Sequence, residues 1–122
     1  MRRAAFILVL IGSAAAASAE PWRCDMTVAC PADAPCDASD LTLDLLAADH
    51  AGELFLTGLG QDIPVAALSP DGAARHHYAG HGANAAALLL SIEADSRAVL
   101  TLHSTGPTGA ATSYFGTCEE LT

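Results

Sequence analysis

The stretch Leu88-Leu89-Leu90-Ser91-Ile92-Glu93-Ala94-Asp95-Ser96-Arg97-Ala98-Val99-Leu100-Thr101-Leu102-His103 decides the fold. In its first half Leu88, Leu90, Ile92 and Ala94 alternate with Ser91, Glu93 and Asp95. Beyond Ser96, Ala98, Leu100 and Leu102 alternate with Val99, Thr101 and His103. A period of two on both sides of a turn describes two half-buried strands of one hairpin. A helix competes for the first half, since Ala85, Leu88, Leu89 and Ile92 stand at i, i+3, i+4 and i+7 with Asn84 in the cap position. The alternation on both sides of Ser96 matches the hairpin better. A register with Leu90 facing Leu102 would set His103 opposite Leu89 on the outer face.

Outward from this hairpin, the same pattern recurs in short segments. Trp22, Cys24, Met26 and Val28 point one way, and Arg23, Asp25 and Thr27 the other. Leu41, Leu43 and Leu45 alternate with Thr42 and Asp44, although Leu41 to Asp49 is also rich in helix formers after Ser39-Asp40. Gly52-Glu53 turns into Leu54 to Thr57. Ile63, Val65 and Ala67 alternate across Pro64, whose missing N–H suits an edge or a strand start. Ser69-Pro70-Asp71-Gly72 is a turn signal. It is followed by a strand from Ala73 to Ala79 and a loose Gly80-His81-Gly82-Ala83-Asn84. Gly106-Pro107-Thr108-Gly109 connects to a last strand, Ala111 to Cys118. About eight short strands joined by turn chemistry predict a mainly β fold, a small antiparallel meander or up-and-down barrel.

The N-terminus sets the compartment. Met1-Arg2-Arg3 is cationic, Ala4 to Ile11 is unbroken apolar, and small residues end in Ala17-Ser18-Ala19 before Glu20-Pro21. This is the layout of a secretory signal peptide over residues 1–19. The apolar run is shorter than the roughly 20 residues a spanning helix needs. The expectation is a single domain, residues 20–122, in the bacterial periplasm or secreted, with no membrane insertion of the mature chain. Cys24, Cys30, Cys36 and Cys118 then meet an oxidising environment, where four cysteines allow three pairings. The preferred pairing is Cys24–Cys118, tying first strand to last, with Cys30–Cys36 closing a loop that holds Pro31, Asp33, Pro35 and Asp37. Zinc is disfavoured because no Cys-x2-Cys pair is present.

Charge narrows the partners. There is no lysine, and after the leader Arg23, Arg75 and Arg97 stand against 14 acidic residues, a formal charge of −11. Nucleic acid and anionic lipid require cationic neutralisation and are excluded as partners. A cationic protein or peptide, or a metal ion, suits this field. Five histidines, His50, His76, His77, His81 and His103, raise the metal question. His76 and His77 face apart. His77 and His81 share a side and form the candidate metal pair, but lie about 13 Å apart in an extended chain. Solvated surface histidines are the simpler reading.

Catalysis finds no scaffold. No Gly-x-Ser-x-Gly elbow occurs, His103 and Ser104 face apart on a strand, and the disulfides use every thiol. Gly58-Leu59-Gly60 and Gly80-His81-Gly82 lack the strand-to-helix setting of phosphate loops and read as turns. No enzyme activity and no cofactor are expected. In Ser113-Tyr114-Phe115-Gly116-Thr117-Cys118, adjacent aromatics must face opposite sides. If Tyr114 shares the Cys118 side, Phe115 faces out, and with Tyr78 it makes a candidate binding patch. The alternative has Phe115 covered by the Cys30–Cys36 loop.

In outline the chain resembles the small periplasmic lysozyme inhibitors of Gram-negative bacteria: an exported domain with an early cysteine, Cys24, a late one, Cys118, and an acidic balance. The resemblance implies a small antiparallel barrel whose loops enter the cleft of a cationic enzyme. The family's Ser-Gly-x-x-Tyr loop is not matched, because Ser69-Pro70-Asp71-Gly72 runs on into Ala73 and the nearest tyrosine is Tyr78. No inhibitory residue is therefore carried over. The expected function is a small binding or inhibitor-like protein for a cationic macromolecule. The alternatives are a periplasmic metal-binding protein using surface histidines and a structural envelope component.

Overall fold

A computed structural model describes residues 21–47, 53–70, 72–82, 86–104 and 111–121. The leader at 1–19, its boundary with residue 20, His50, the Asn84 cap and the Gly106 to Gly109 connection lie outside the described residues. Alternation along the chain becomes eight strands: β1 (Trp22–Pro31), β2 (Asp37–Ala47), β3 (Leu54–Thr57), β4 (Ile63–Ala67), β5 (His76–His81), β6 (Ala87–Ile92), β7 (Arg97–His103) and β8 (Ala111–Glu120). Each pairs antiparallel with the next, and β8 returns to β1, so the meander closes into a barrel. Of the two segments with a helical alternative, residues 41–47 and 87–92 are strand.

One face of every strand points into the lumen. Met26, Leu43, Leu45, Leu56, Leu90, Ile92 and Leu100 are fully buried there, joined by Trp22, Cys24, Leu54, Ile63, Tyr78, Leu88, Ala98 and Cys118. At eight strands the interior is just wide enough for side chains to fill it. No buried side-chain nitrogen or oxygen among the described residues lacks a hydrogen-bond partner. One end of the barrel is stoppered by rings: His76 lies 5.4 Å from Trp22 and 6.5 Å from Tyr78, centroid to centroid.

The deciding hairpin is formed with a different register from the one considered. Leu90 faces Leu100, Leu88 faces Leu102, and His103 faces Ala87, not Leu89. The turn sets this. Ser96 N–H donates to the Glu93 carbonyl at 3.0 Å, Glu93 N–H to the Arg97 carbonyl at 2.8 Å, and Ser96 takes φ 73°. This is a tight turn followed by a left-handed residue, which confines the loop to Ala94, Asp95 and Ser96 and removes Ala94 from the strand. A second departure lies at the other glycine-rich site. Gly80 and His81 continue β5 instead of forming a loose loop, and β5 begins at His76, not Ala73. Gly80 lets the wall close tightly, since a Cβ there would sit 2.6 Å from the Pro64 carbonyl oxygen.

β1 also breaks its alternation. Met26 pairs with Gly116 but Val28 pairs with the adjacent Phe115, so Thr27 is an extra residue. Such a bulge turns the next side chain to the opposite face. Val28, expected inside with Met26, is 37% exposed. Gly116 makes the close approach possible, because a Cβ on it would collide with the Asp25 carbonyl oxygen and the Met26 Cα.

The cystines join Cys24 to Cys118 and Cys30 to Cys36, at sequence separations of 94 and 6. Cys24 and Cys118 are direct cross-strand partners in the β1–β8 seam and are buried. Loop-closure entropy makes the first cystine worth about 4–5 kcal/mol and the second about 2 kcal/mol. Urea titration followed by Trp22 fluorescence will therefore show a much lower midpoint for the double serine variant at Cys24 and Cys118 than for that at Cys30 and Cys36. Gly116→Ala, by forcing the seam apart, will lower the midpoint while preserving both cystines.

Candidate functional site

With the lumen filled, the outer wall is the surface that remains exposed. Phe115 on β8 is 42% exposed and lies between Val99 of β7 and Val28 of β1. The row continues to Ser91 on one side and Ala38 on the other. Leu89, two residues from Ser91 on the same face of β6, is 42% exposed. Cys30, opposite Ser113, follows Val28 on the outer face of β1 and extends the row toward the second cystine. An apolar stripe thus crosses four strands. Cross-strand neighbours at this spacing touch, so Val28 and Phe115 present one continuous surface.

Tyr78, the expected companion of Phe115, is not part of this surface. It is 3% exposed and points into the lumen, where burial pushes its phenol up despite a hydrogen bond with Trp22. The two aromatics occupy opposite faces of the wall. Nor does the Cys30–Cys36 loop cover Phe115, given its exposure.

Electrostatics on the same wall is one-sided. Each described arginine is held by an acid: Arg23 Nε and Nη2 donate to Asp44 at 2.8 and 3.1 Å, Arg75 pairs with Glu93 at 2.9 Å and Arg97 with Asp95 at 2.6 Å. The hydrogen bond from Arg23 lowers the Asp44 carboxyl, and contact with Arg97, its backbone N–H first, lowers that of Asp95. Asp25 accepts from the Thr42 hydroxyl at 3.0 Å. Asp33, Asp37 and Asp40 have no cationic partner among the described residues. They gather where β1 turns into β2, beside Val28.

The candidate metal pair is not assembled. His77 Nδ1 is hydrogen-bonded to Ser91 Oγ at 2.8 Å, and His81 lies four residues further along the same outer face of β5. Among the described residues no three His, Cys, Asp or Glu side chains are placed to share an ion. His81 and His103 flank Ala87 from either side, a juxtaposition created by the hairpin register. An open groove of about 600 Å³ over β3 and β4 is lined by Glu53, Leu54, Phe55, Pro64, Val65, Ala66 and Ala67, so it offers one carboxylate and otherwise apolar walls.

Comparison with known proteins yields no matching family, no matching curated protein and no matching solved structure. The candidate site therefore rests on the wall itself. Phe115 was legible from the alternation in β8. Val28 was hidden by the bulge, for which Gly116 opposite it was the available sign.

Asp44 offers a pH test of the wall. Its carboxyl is depressed in the folded state, so the stabilisation is fully present above the ordinary aspartate range and is lost as pH falls through the lowered value. Asp44→Asn will narrow the gap to wild type in urea midpoint as pH drops from about 4 toward 2, the ordinary range being near 3.9. High salt will shrink the difference at pH 7 because the pair is exposed to solvent.

Proposed function

We propose that this chain is a small exported binding protein that docks a cationic macromolecule on its outer wall, in the manner of an inhibitor. The carrying observation is the exposed Val28–Phe115 pair set beside unpaired aspartates in a chain without lysine. An apolar centre edged by charge of one sign is how interfaces divide affinity from steering: the aromatic anchor supplies binding energy and the field supplies encounter rate. The opposite charge excess on the partner follows directly. A second copy of the chain would bring like charges together, which disfavours self-association.

Export is supported by the two cystines, which suit an oxidising environment outside the cytosol, and by the leader-like start. The periplasm is the compartment proposed. A lipid-facing role fits poorly. Most large apolar side chains fill the lumen and the charged ones lie outside, the inverse of a membrane barrel. β3 and β4 also have 4 and 5 residues, against about 9–11 for a membrane-crossing strand.

The test uses the oxidised protein and lysozyme, a compact cationic enzyme, with a neutral protein as control. Calorimetry will detect lysozyme binding that weakens steeply between low and high salt. Phe115→Ala will weaken it about 10-fold or more, as loss of an aromatic anchor does, with an unchanged circular dichroism spectrum. Absence of binding to lysozyme and to other cationic envelope enzymes, or a Phe115→Ala complex of unchanged affinity, overturns the proposal.

A further inference from the structure

Closure of the barrel is complete at β1 and β8 but not along the whole of β2. On one side β2 pairs with β1 from Leu45 opposite Trp22 down to Asp37 opposite Ala29. On the other side it pairs with β3 only through Asp44, Leu45, Leu46 and Ala47. The loop after β3 follows it a little further, since a Cβ on Gly58 would strike the Thr42 carbonyl oxygen and crowd Leu43. Below that point Asp37, Ala38 and Leu41 pair with β1, Ser39 and Asp40 stand at the register shift beside Thr27, and none of the five has a backbone partner among the described residues on the other side. The mismatch follows from strand length: β2 has 11 residues and β3 has 4.

Two local contacts temper this edge. Ala38 N–H donates to the Asp37 carboxylate at 2.8 Å, and Leu41 N–H to the Ser39 hydroxyl at 3.2 Å. Both are bonds to neighbouring side chains, which an incoming ladder can replace. Acidic side chains on an open edge also discourage pairing with an identical edge, because Asp37 and Asp40 would meet their own copies. The same charges favour an extended segment bearing Lys or Arg.

We infer that Asp37–Leu41 accepts an extended, basic segment of the cationic partner as an added strand on the side of β2 away from β1. This deepens the proposed function and rests on it. Backbone pairing gives affinity in this mode and alternate side chains give specificity. Recognition of this kind requires the partner to offer a flexible or exposed strand, not merely positive charge.

Nitrogen-15 spectra of the oxidised full-length protein test it with two synthetic peptides of equal charge. One alternates Lys and Val over eight residues; the other carries proline at every second apolar place and cannot form a ladder. The expected result is chemical-shift change and slowed amide exchange at Ala38 to Leu41 with the alternating peptide, at least 10-fold tighter than with the proline peptide. Asp37→Asn with Asp40→Asn will weaken it about 10-fold while leaving the barrel's spectrum intact. Equal affinity for both peptides, or shifts confined to Val28, Val99 and Phe115, overturns the edge inference but leaves a cationic partner in place. Edge shifts that grow with protein concentration alone assign the edge to a second copy and overturn it too. If lysozyme and both peptides fail to bind, the underlying proposal falls with it.

Discussion

The β1–β8 seam is the contact on which the rest of the molecule depends. Seven of the eight strand pairings join neighbours in sequence, and each can form locally. The eighth joins the two ends of the domain, at the entropic cost of ordering everything between them. Cys24 and Cys118 meet directly in that seam, and their cystine removes much of that cost from the folding equilibrium. Without closure, the inward Leu, Ile and Met side chains would line an open sheet with one apolar face in water. With it, the same residues fill a lumen that needs no further layer.

Closure also shapes the outside. The bulge at Thr27 lies in the seam, opposite Gly116, and it is the bulge that turns Val28 outward to meet Phe115. The apolar stripe is thus a consequence of how the seam was accommodated. Around it, the described arginines are consumed by Asp44, Glu93 and Asp95, which leaves Asp33, Asp37 and Asp40 at the β1–β2 end, like Glu53 and Asp62 elsewhere, without a salt bridge among the described residues. A wall of this kind has a built-in polarity, apolar at one station and anionic beside it. The proposed docking of a cationic partner uses that polarity, and the proposed strand addition uses the length difference between β2 and β3.

Much of the architecture was legible because a strand's period of two leaves a direct imprint on sequence. Leu88, Leu90 and Ile92, Leu43 and Leu45, and Trp22, Cys24 and Met26 all point where alternation placed them. The pairing of Cys24 with Cys118 followed from placing one on the first strand and one on the last. Tyr78 illustrates where this reasoning stopped. The glycines nearby suggested a loose loop and an exposed ring, whereas Gly80 packs as part of the wall and Tyr78 is buried in the lumen.

By itself the sequence determined a mainly β fold of about eight short strands, the apolar face of most of them, that the net charge is strongly negative and that four cysteines are available to bridge. These are local or additive properties, and each residue contributes to them independently of its neighbours in space. Tertiary structure alone decided the β6–β7 register through the conformation of Ser96, the outward turn of Val28, the separation of Tyr78 from Phe115, and the exposed edge on β2. Those depend on a single residue inserted or a strand cut short. A shift of one position reverses every following side chain, which no average over a window of sequence records.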